Sequence, residues 1–276
     1  MPSRRYWRRF RSYRKEVTPA FALLRNQDPV QYQTYSVDGV KIAEGTIPWG
    51  LRWTEEQRIE YARPDGIGAV WSSSGWRLFD FVKGVEVGAL STQPRFPVFL
   101  SGEWYFARTL GDTDPCTGDN TPVWHDVNGN ALGIAGNISA QNFYPARFTE
   151  ALYGLTRTSA AGVIYVQTLP VDCSYQRYVV SRRTGIAVLD LIYLYDTNAS
   201  IGEVFAFDGS TETKVWQMDL GTLLFWAQRG ALHVLCNDRK VRRWMPGFGE
   251  ISYWTVETWN TGVGVLSDVN LVIVFE

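Results

Sequence analysis

Thr222-Leu-Leu-Phe-Trp-Ala-Gln-Arg-Gly-Ala-Leu-His-Val-Leu-Cys-Asn-Asp-Arg-Lys-Val-Arg-Arg-Trp244 reads as three successive strands with short turns between them. Its apolar residues are mostly aromatic, β-branched or leucine, types that suit a pleated, half-buried surface. Arg229-Gly230 interrupts the first run and marks a tight turn. His233 alternates within Ala231-Leu-His-Val-Leu-Cys236, which places its imidazole on a strand, in the core or at the surface. Turns this short allow antiparallel pairing only, because a parallel pair needs a long crossover.

The same texture runs outward from this segment. Gly68-Ala-Val-Trp71, Trp76-Arg-Leu-Phe-Asp-Phe81, Gly162-Val-Ile-Tyr-Val-Gln167, Ala187-Val-Leu-Asp-Leu-Ile-Tyr-Leu-Tyr195, Glu203-Val-Phe-Ala-Phe207 and Asn270-Leu-Val-Ile-Val-Phe275 are short strand-like runs. Asp38-Gly39, Pro64-Asp-Gly66, Asn128-Gly129 and Asp208-Gly209 punctuate the chain as turns. There is no sustained alternation of strand and helix. The pattern predicts an all-β fold, with an antiparallel β-sandwich or barrel-like body. Residues 68–90 loosely repeat the pattern of 222–244, which makes a β-propeller the alternative. Gly-His and Trp-Asp signatures are absent, and no fixed period carries through the middle of the chain.

One or two short helices are expected within this body. Thr54-Glu-Glu-Gln57 has capping-box spacing, for a helix ending before Pro64. Pro145 suits the first turn of a second helix, through Ala146-Arg-Phe-Thr-Glu-Ala-Leu-Tyr153 to Gly154. The chain thus divides into an N-terminal arm, residues 1–18, and a β-rich body, residues 19–276, with two halves joined near 140–160. The clearest long loop is Gly111–Pro122.

The 276 residues have a formal net charge of -1, and that average conceals a split. Residues 1–15, MPSRRYWRRFRSYRK, hold seven positive side chains and no acid. Without those seven, 20 of the 27 Lys and Arg face 28 Asp and Glu, so residues 16–276 sum to about -8. On a helical wheel Tyr6, Trp7, Phe10 and Tyr13 span about 120°, with Arg14 inside that sector. Arg4, Arg5, Arg8, Arg9, Arg11 and Lys15 take the remainder. These residues are the candidate partner-binding site, and three occupants suit them. An acidic neighbouring subunit would be gripped by aromatic anchors and arginine pairs. Nucleic acid would have its phosphates neutralised and its bases stacked. An anionic membrane surface would take the aromatic face. A solvated tail is the plain alternative. Pro19 biases Thr18 away from helical angles and ends any helix there.

Other motifs exclude more than they assign. Cys116, Cys173 and Cys236 lie 57 and 63 residues apart, which is neither a disulfide framework nor a Cys-x-x-Cys zinc pair. They read as buried or half-buried thiols, one long-range bridge remaining open. His125 and His233 are the only histidines, too few for a His-rich metal site. Asp112-x-Asp114…Asp119-Asn120 departs from a calcium loop, because Cys116 stands at the third ligand position and Gly118 falls one place late. It reads as a solvated turn, and no metal or cofactor is expected. His125 and Asp126, adjacent on a strand, would point to opposite faces and form no dyad unless the backbone turns there. No Gly-x-Ser-x-Gly elbow is present. Gly66-Ile-Gly68, Pro246-Gly-Phe-Gly249 and Gly262-Val-Gly264 read as turns or bulges. No run approaches the ~20 apolar residues that cross a bilayer. The basic start lacks a secretory core of about 7–15 apolar residues, Ala20–Leu24 being the longest run nearby. The mature chain is accordingly expected to start near Met1 and to be made in a cytoplasm.

A glycosidase needs two carboxylates across a sugar site, and Glu103 with Asp80 or Asp126 is one nominal pair. With 28 acids such pairs can always be named, so the signal is slight. Trp49/Trp53, Trp71/Trp76 and Trp254/Trp259 could stack on sugar rings, but packing in the core or at a subunit interface is the simpler reading. An acidic, aromatic-rich β body from Val30 to Phe275 behind the arm at Arg4–Lys15 resembles the virion proteins of tailed bacteriophages, particularly tail and neck components. The resemblance is one of kind and rests on no family motif. It implies homo-oligomeric rings, arms that latch onto neighbours and no catalytic residue. The expectation is a non-enzymatic structural subunit of a viral particle, made in the host cytoplasm and located in the virion. Its partners would be copies of itself and other virion proteins, with nucleic acid through the arm and host glycan as further candidates. The alternative is a carbohydrate-binding or glycan-cleaving β protein for host-surface adhesion.

Overall fold

The computed structural model describes residues 17–25, 29–49, 58–91, 96–100, 102–107, 123–134, 144–148, 151–158, 161–168, 175–180, 184–188, 191–195, 202–207, 211–218, 222–257 and 269–276. These form 24 strands and, among the described residues, no helix. Within each of the groups below, strands adjacent in the chain pair antiparallel. One sheet holds β5 (Ile67–Ser72), β6 (Gly75–Asp80) and β7 (Val85–Ser91) in chain order. The next holds β8 (Phe96–Leu100), β9 (Glu103–Ala107), β10 (Val123–His125) and β11 (Ala131–Ile134). Then follow β12 (Tyr144–Phe148), β13 (Ala151–Thr158), β14 (Ala161–Thr168) and β15 (Tyr175–Val180). A further sheet is β16 (Thr184–Val188), β17 (Leu191–Tyr195), β18 (Gly202–Phe207) and β19 (Glu212–Met218). The segment 222–244 supplies β20 (Thr222–Gln228), β21 (Ala231–Cys236) and β22 (Lys240–Met245), completed by β23 (Gly249–Thr255).

The remaining sheet joins the two ends of the chain. β1 (Phe21–Arg25), β2 (Val30–Tyr35) and β3 (Lys41–Ile47) form its outer part, and β24 (Val269–Phe275) adds to β1. On its other edge β24 pairs in parallel with β4 (Arg58–Ala62), whose turn Arg63–Gly66 leads into β5. The first strands of successive groups lie beside one another. β24 neighbours β4 and β20, β4 neighbours β8 and β12, and β16 bridges β12 and β20. A circuit of first strands, each followed outward by its own meander, supports the propeller alternative rather than a sandwich or barrel. Period-two patterning and close turn spacing are common to all three architectures, so the local signals could not separate them.

Burial explains why the end strands are apolar throughout instead of alternating. Phe21 and Leu23 of β1, with Val272 and Val274 of β24, pack into one core with Trp226, Leu232, Val234, Val241 and Trp244. Ala22, Leu24, Leu271, Ile273 and Phe275 face a second core with Val70, Trp76, Phe79, Phe81 and Trp104. A sheet covered on both faces has no polar face to show. Each Val, Leu, Ile or Phe among them contributes about 1.5–3 kcal/mol by leaving water. Gln228 fastens the closure, its Nε2 donating to the Ala20 carbonyl at 2.6 Å and the Phe275 carbonyl at 3.2 Å.

The turn signals fold as read where they are described. In Ser36–Val40, Arg63–Ile67 and Asp126–Asn130 the same pair of backbone bonds recurs, with a glycine amide donating three residues back. Arg229 and Gly230 have φ of 49° and 70°, the two-residue hairpin turn that suits the strand twist. Asp208-Gly209 lies outside the described residues.

Both expected helices are corrected. The five residues before Arg63 form β4, because Tyr61 and Ala62 enter different cores, as a strand's alternation requires. Thr54–Gln57 itself lies outside the described residues. Residues 144–148 and 151–158 instead form the antiparallel strands β12 and β13, with Pro145 opposite Gly154. β12 is the end member of its sheet, where a missing proline N–H is tolerated.

Candidate functional site

The arm residues Arg4, Arg5, Tyr6, Trp7, Arg8, Arg9, Phe10, Arg11, Tyr13, Arg14 and Lys15 lie outside the described residues. The fold does locate where the arm joins the body. Val17 and Thr18 are exposed, and Pro19 sits against Gly66 and beside Val82. Val82, Val85 and Val87 are exposed on the same group of strands, the last two on its outermost strand β7. A second exposed apolar group lies on the outer hairpin β22–β23, with Phe248 at 78%, Ile251 at 40% and Tyr253 at 60% of full exposure. Lys240 Nζ stands 4.7 Å from the Tyr253 ring centre. Outermost strands present unpaired backbone edges, so both are surfaces on which another chain can dock.

The nominal glycosidase carboxylates part company. Asp80 is buried at the end of β6 and accepts hydrogen bonds from the Val82 and Lys83 amides and from Lys83 Nζ. Burial alone would raise its pKa, but those bonds and the Lys83 charge hold it below the usual carboxylate range. Glu103 lies beside Tyr105, whose hydroxyl donates to Glu103 Oε2 at 3.4 Å. Burial, then the Glu103 carboxylate and, more weakly, Asp126 raise the Tyr105 phenol. Asp126 accepts from the Asn128 and Asn130 amides and from Asn130 Nδ2. Burial opposes these bonds, yet they keep its carboxyl below the ordinary range. That favours a turn-capping carboxylate, since a general acid needs a raised pKa. His125 is buried at the end of β10, whereas Asp126 begins the turn and its carboxylate caps it.

Trp49, Trp71, Trp76 and Trp254 pack against the two cores. Trp71 and Trp76 face each other across β5–β6, their rings edge-on at 5.2 Å, and Trp76 is buried. Trp49 packs on the same core. Trp254 lies 5.6 Å from Phe21 and 4.8 Å from Tyr35. Trp53 and Trp259 lie outside the described residues. His233 is a core imidazole, stacked on Trp226 at 5.3 Å. Cys236 is a buried free thiol beside Met218, and burial raises its pKa. Cys116, Cys173 and the acidic loop 112–120 lie outside the described residues. Among the described residues no cluster of three His, Cys, Asp or Glu could hold a metal ion, and no helix is long and apolar enough to cross a membrane. The sequence does not mark out Gln228, because a lone polar residue in a strand carries no local sign of what it will face.

No protein-family profile matches the chain, and no curated protein matches it. Among solved structures it is similar to a chain of the nidogen/laminin complex, with a TM-score of 0.54, 8% identity, and coverage of 92% of this chain and 97% of that one. That likeness concerns the fold alone. Weaker likenesses are to the Dos1 propeller (TM-score 0.44, 11% identity, 87% of this chain and 68% of that one) and to BamB from Moraxella catarrhalis (0.42, 15%, 94% and 81%).

Proposed function

We propose that this chain is a non-enzymatic assembly subunit of a viral particle, a six-bladed propeller that joins a ring or a tail or neck complex through its N-terminal arm. One observation carries the reading. Seven positive charges and four aromatic rings within residues 4–15 precede a body summing to about -8. The arm joins that body at Pro19, which packs against Gly66 near the exposed Val82. Aromatic and arginine side chains are the groups that anchor protein interfaces. An arm from one copy would therefore meet the acidic body of another, with attraction between opposite charges favouring the encounter.

Mass photometry of the full chain and of a form lacking residues 1–15 tests the proposal. The full chain is expected to give a discrete large oligomer and the truncated form a folded monomer. Equal assembly by both would remove the arm from the reading. A monomeric full chain, retained on heparin only when the arm is present, would instead assign the arm to nucleic acid.

A further inference from the structure

We infer that the outer hairpin β22–β23, at Phe248, Glu250, Ile251 and Tyr253, is the surface that receives the N-terminal arm of a neighbouring copy. The inference rests on the assembly reading above and names the contact that reading leaves open. The strands pair from Lys240 opposite Thr255 to Met245 opposite Gly249, and a register shift between Arg243 and Trp244 leaves Ile251 as an extra residue on β23. Such a bulge re-aims a side chain and interrupts the strand edge, which favours recognition by side chains over a continued backbone ladder. Ile251 is exposed there, as is Tyr253 two residues on. In the connecting turn the Phe248 amide donates to the Met245 carbonyl at 3.1 Å. Phe248 is the most exposed large apolar side chain among the described residues, and the space over Gly247 and Gly249 on either side of it is open. Two rings and a branched aliphatic chain on one outer hairpin exceed the single scattered apolar residue of an ordinary surface.

Charge selects the occupant. Arg242 grips Asp238 through two bonds at 2.7 and 3.0 Å, and Lys41 pairs with Glu257. Glu250 is exposed between Phe248 and Ile251 and takes part in neither pair. Lys240 Nζ already stands over the Tyr253 ring, the contact with a cation that aromatic faces favour, and a guanidinium suits such a ring in the same way. A carboxylate set among aromatic rings complements a segment made of arginines and aromatics, and residues 4–15 carry seven positive charges and four rings. The exposed valines of β7 fit that segment less well. Their neighbour Glu86 is already 3.3 Å from Arg77, and β7 has no aromatic residue.

The root of the arm sets the geometry of the contact. Pro19 sits against Gly66, in the turn between β4 and β5, whereas the receiving hairpin belongs to the group that starts with β20. β24 neighbours both β4 and β20, so its group stands between root and receptor. A contact between two different surfaces is heterologous, and its repetition closes a ring or runs on as a filament. Sixteen residues precede Val17. Extended, they span about 50 Å, enough to cross to a neighbour.

Photocrosslinking of the full-length chain tests the surface. A Trp7→p-benzoylphenylalanine form is prepared with heavy and with light isotopes, mixed before assembly, irradiated and digested. Linked peptides are expected to join the arm to residues 245–255, with heavy–light pairs showing that the link runs between copies. Phe248→Ala and Tyr253→Ala are each expected to raise the concentration for half-assembly by about tenfold, as the loss of an aromatic anchor does. Glu250→Lys is expected to raise it at least as much at low salt and less at high salt. Val87→Ser leaves it unchanged. Links to another segment, links confined to one copy, or no link at all overturn the surface. Assembly that needs residues 1–15 but ignores all three hairpin variants overturns it as well, while the assembly reading stands. A chain that is monomeric in mass photometry, yet links between copies at this hairpin at higher concentration, keeps the surface and overturns the assembly reading alone.

Discussion

Gly39 and Gly247 have the same φ of +78°, yet their surroundings differ. A Cβ at Gly39 would run into the indole of Trp254, whereas one at Gly247 would meet nothing within 4 Å. The pair separates backbone strain from contact. Gly247→Ala is expected to cost about 1 kcal/mol for the left-handed conformation alone. Gly39→Ala is expected to cost about 2–4 kcal/mol, because Trp254 must also leave Phe21 and Tyr35. Urea midpoints of the two variants measure the difference, and equal losses would mean that Trp254 does not rest on Gly39. His233 offers a second test at this scale. Burial first, then Arg243 and Arg229, lower its pKa from 6.5 to about 3, against a backbone hydrogen bond at Ala231 that raises it. A histidine held neutral in the fold binds its proton only after unfolding. Its contribution is therefore complete above pH 6.5 and is lost as pH falls toward 3. Between pH 7 and 5 the protein is expected to lose about 2 kcal/mol more stability than the His233→Phe variant, which keeps a ring against Trp226. Denaturant titrations at the two pH values check this, and matched losses would contradict it.

At the scale of elements, what was legible followed from local chemistry. Asp38-Gly39 and Asn128-Gly129 fold into hairpin turns because a polar residue followed by glycine suits the positive φ those turns need. Strand β21 was visible because Ala231–Cys236 is apolar apart from His233, and its whole length is buried. The helix read into Pro145–Tyr153 failed for a tertiary reason. Pro145 can begin a helix or occupy a sheet edge, and only the pairing of Tyr144–Phe148 with Ala151–Leu155 decides between them. Gln228 was illegible for a related reason. Its amide holds two carbonyls from opposite ends of the chain, at Ala20 and Phe275, so its partners are distant in sequence. Arg243 and Ser252 likewise become neighbours only through the register of β22 and β23. The basic arm shows the opposite case, since its composition is plain in the sequence while its contacts fall outside the described residues.

The whole molecule depends on how its ends meet, and that was the feature least accessible to a reading from one end to the other. β24 sits between β1 and β4, so the last described strand completes a sheet begun by the first. The Phe275 amide donates to the Ala20 carbonyl at 2.8 Å, and the Glu276 amide to the Ala62 carbonyl at 3.1 Å. Non-covalent closure of this kind means that the break between residues 276 and 17 is a matter of connectivity and not of packing. A chain that omits residues 1–16, begins at Val269, and links Glu276 to Val17 through a short Gly-Ser segment retains every strand pairing described. It turns the β24–β1 pair into an ordinary hairpin, which shortens the loop to be closed. This permutant is expected to fold cooperatively with a melting temperature equal to or above that of the form lacking residues 1–15. Removal of residues 269–276 is expected to abolish the transition, because Leu271, Val272, Ile273, Val274 and Phe275 fill both cores. Calorimetry of the three forms decides the matter: a permutant that fails to fold, or a form without β24 that melts cooperatively, would show that the chain is not closed in this way.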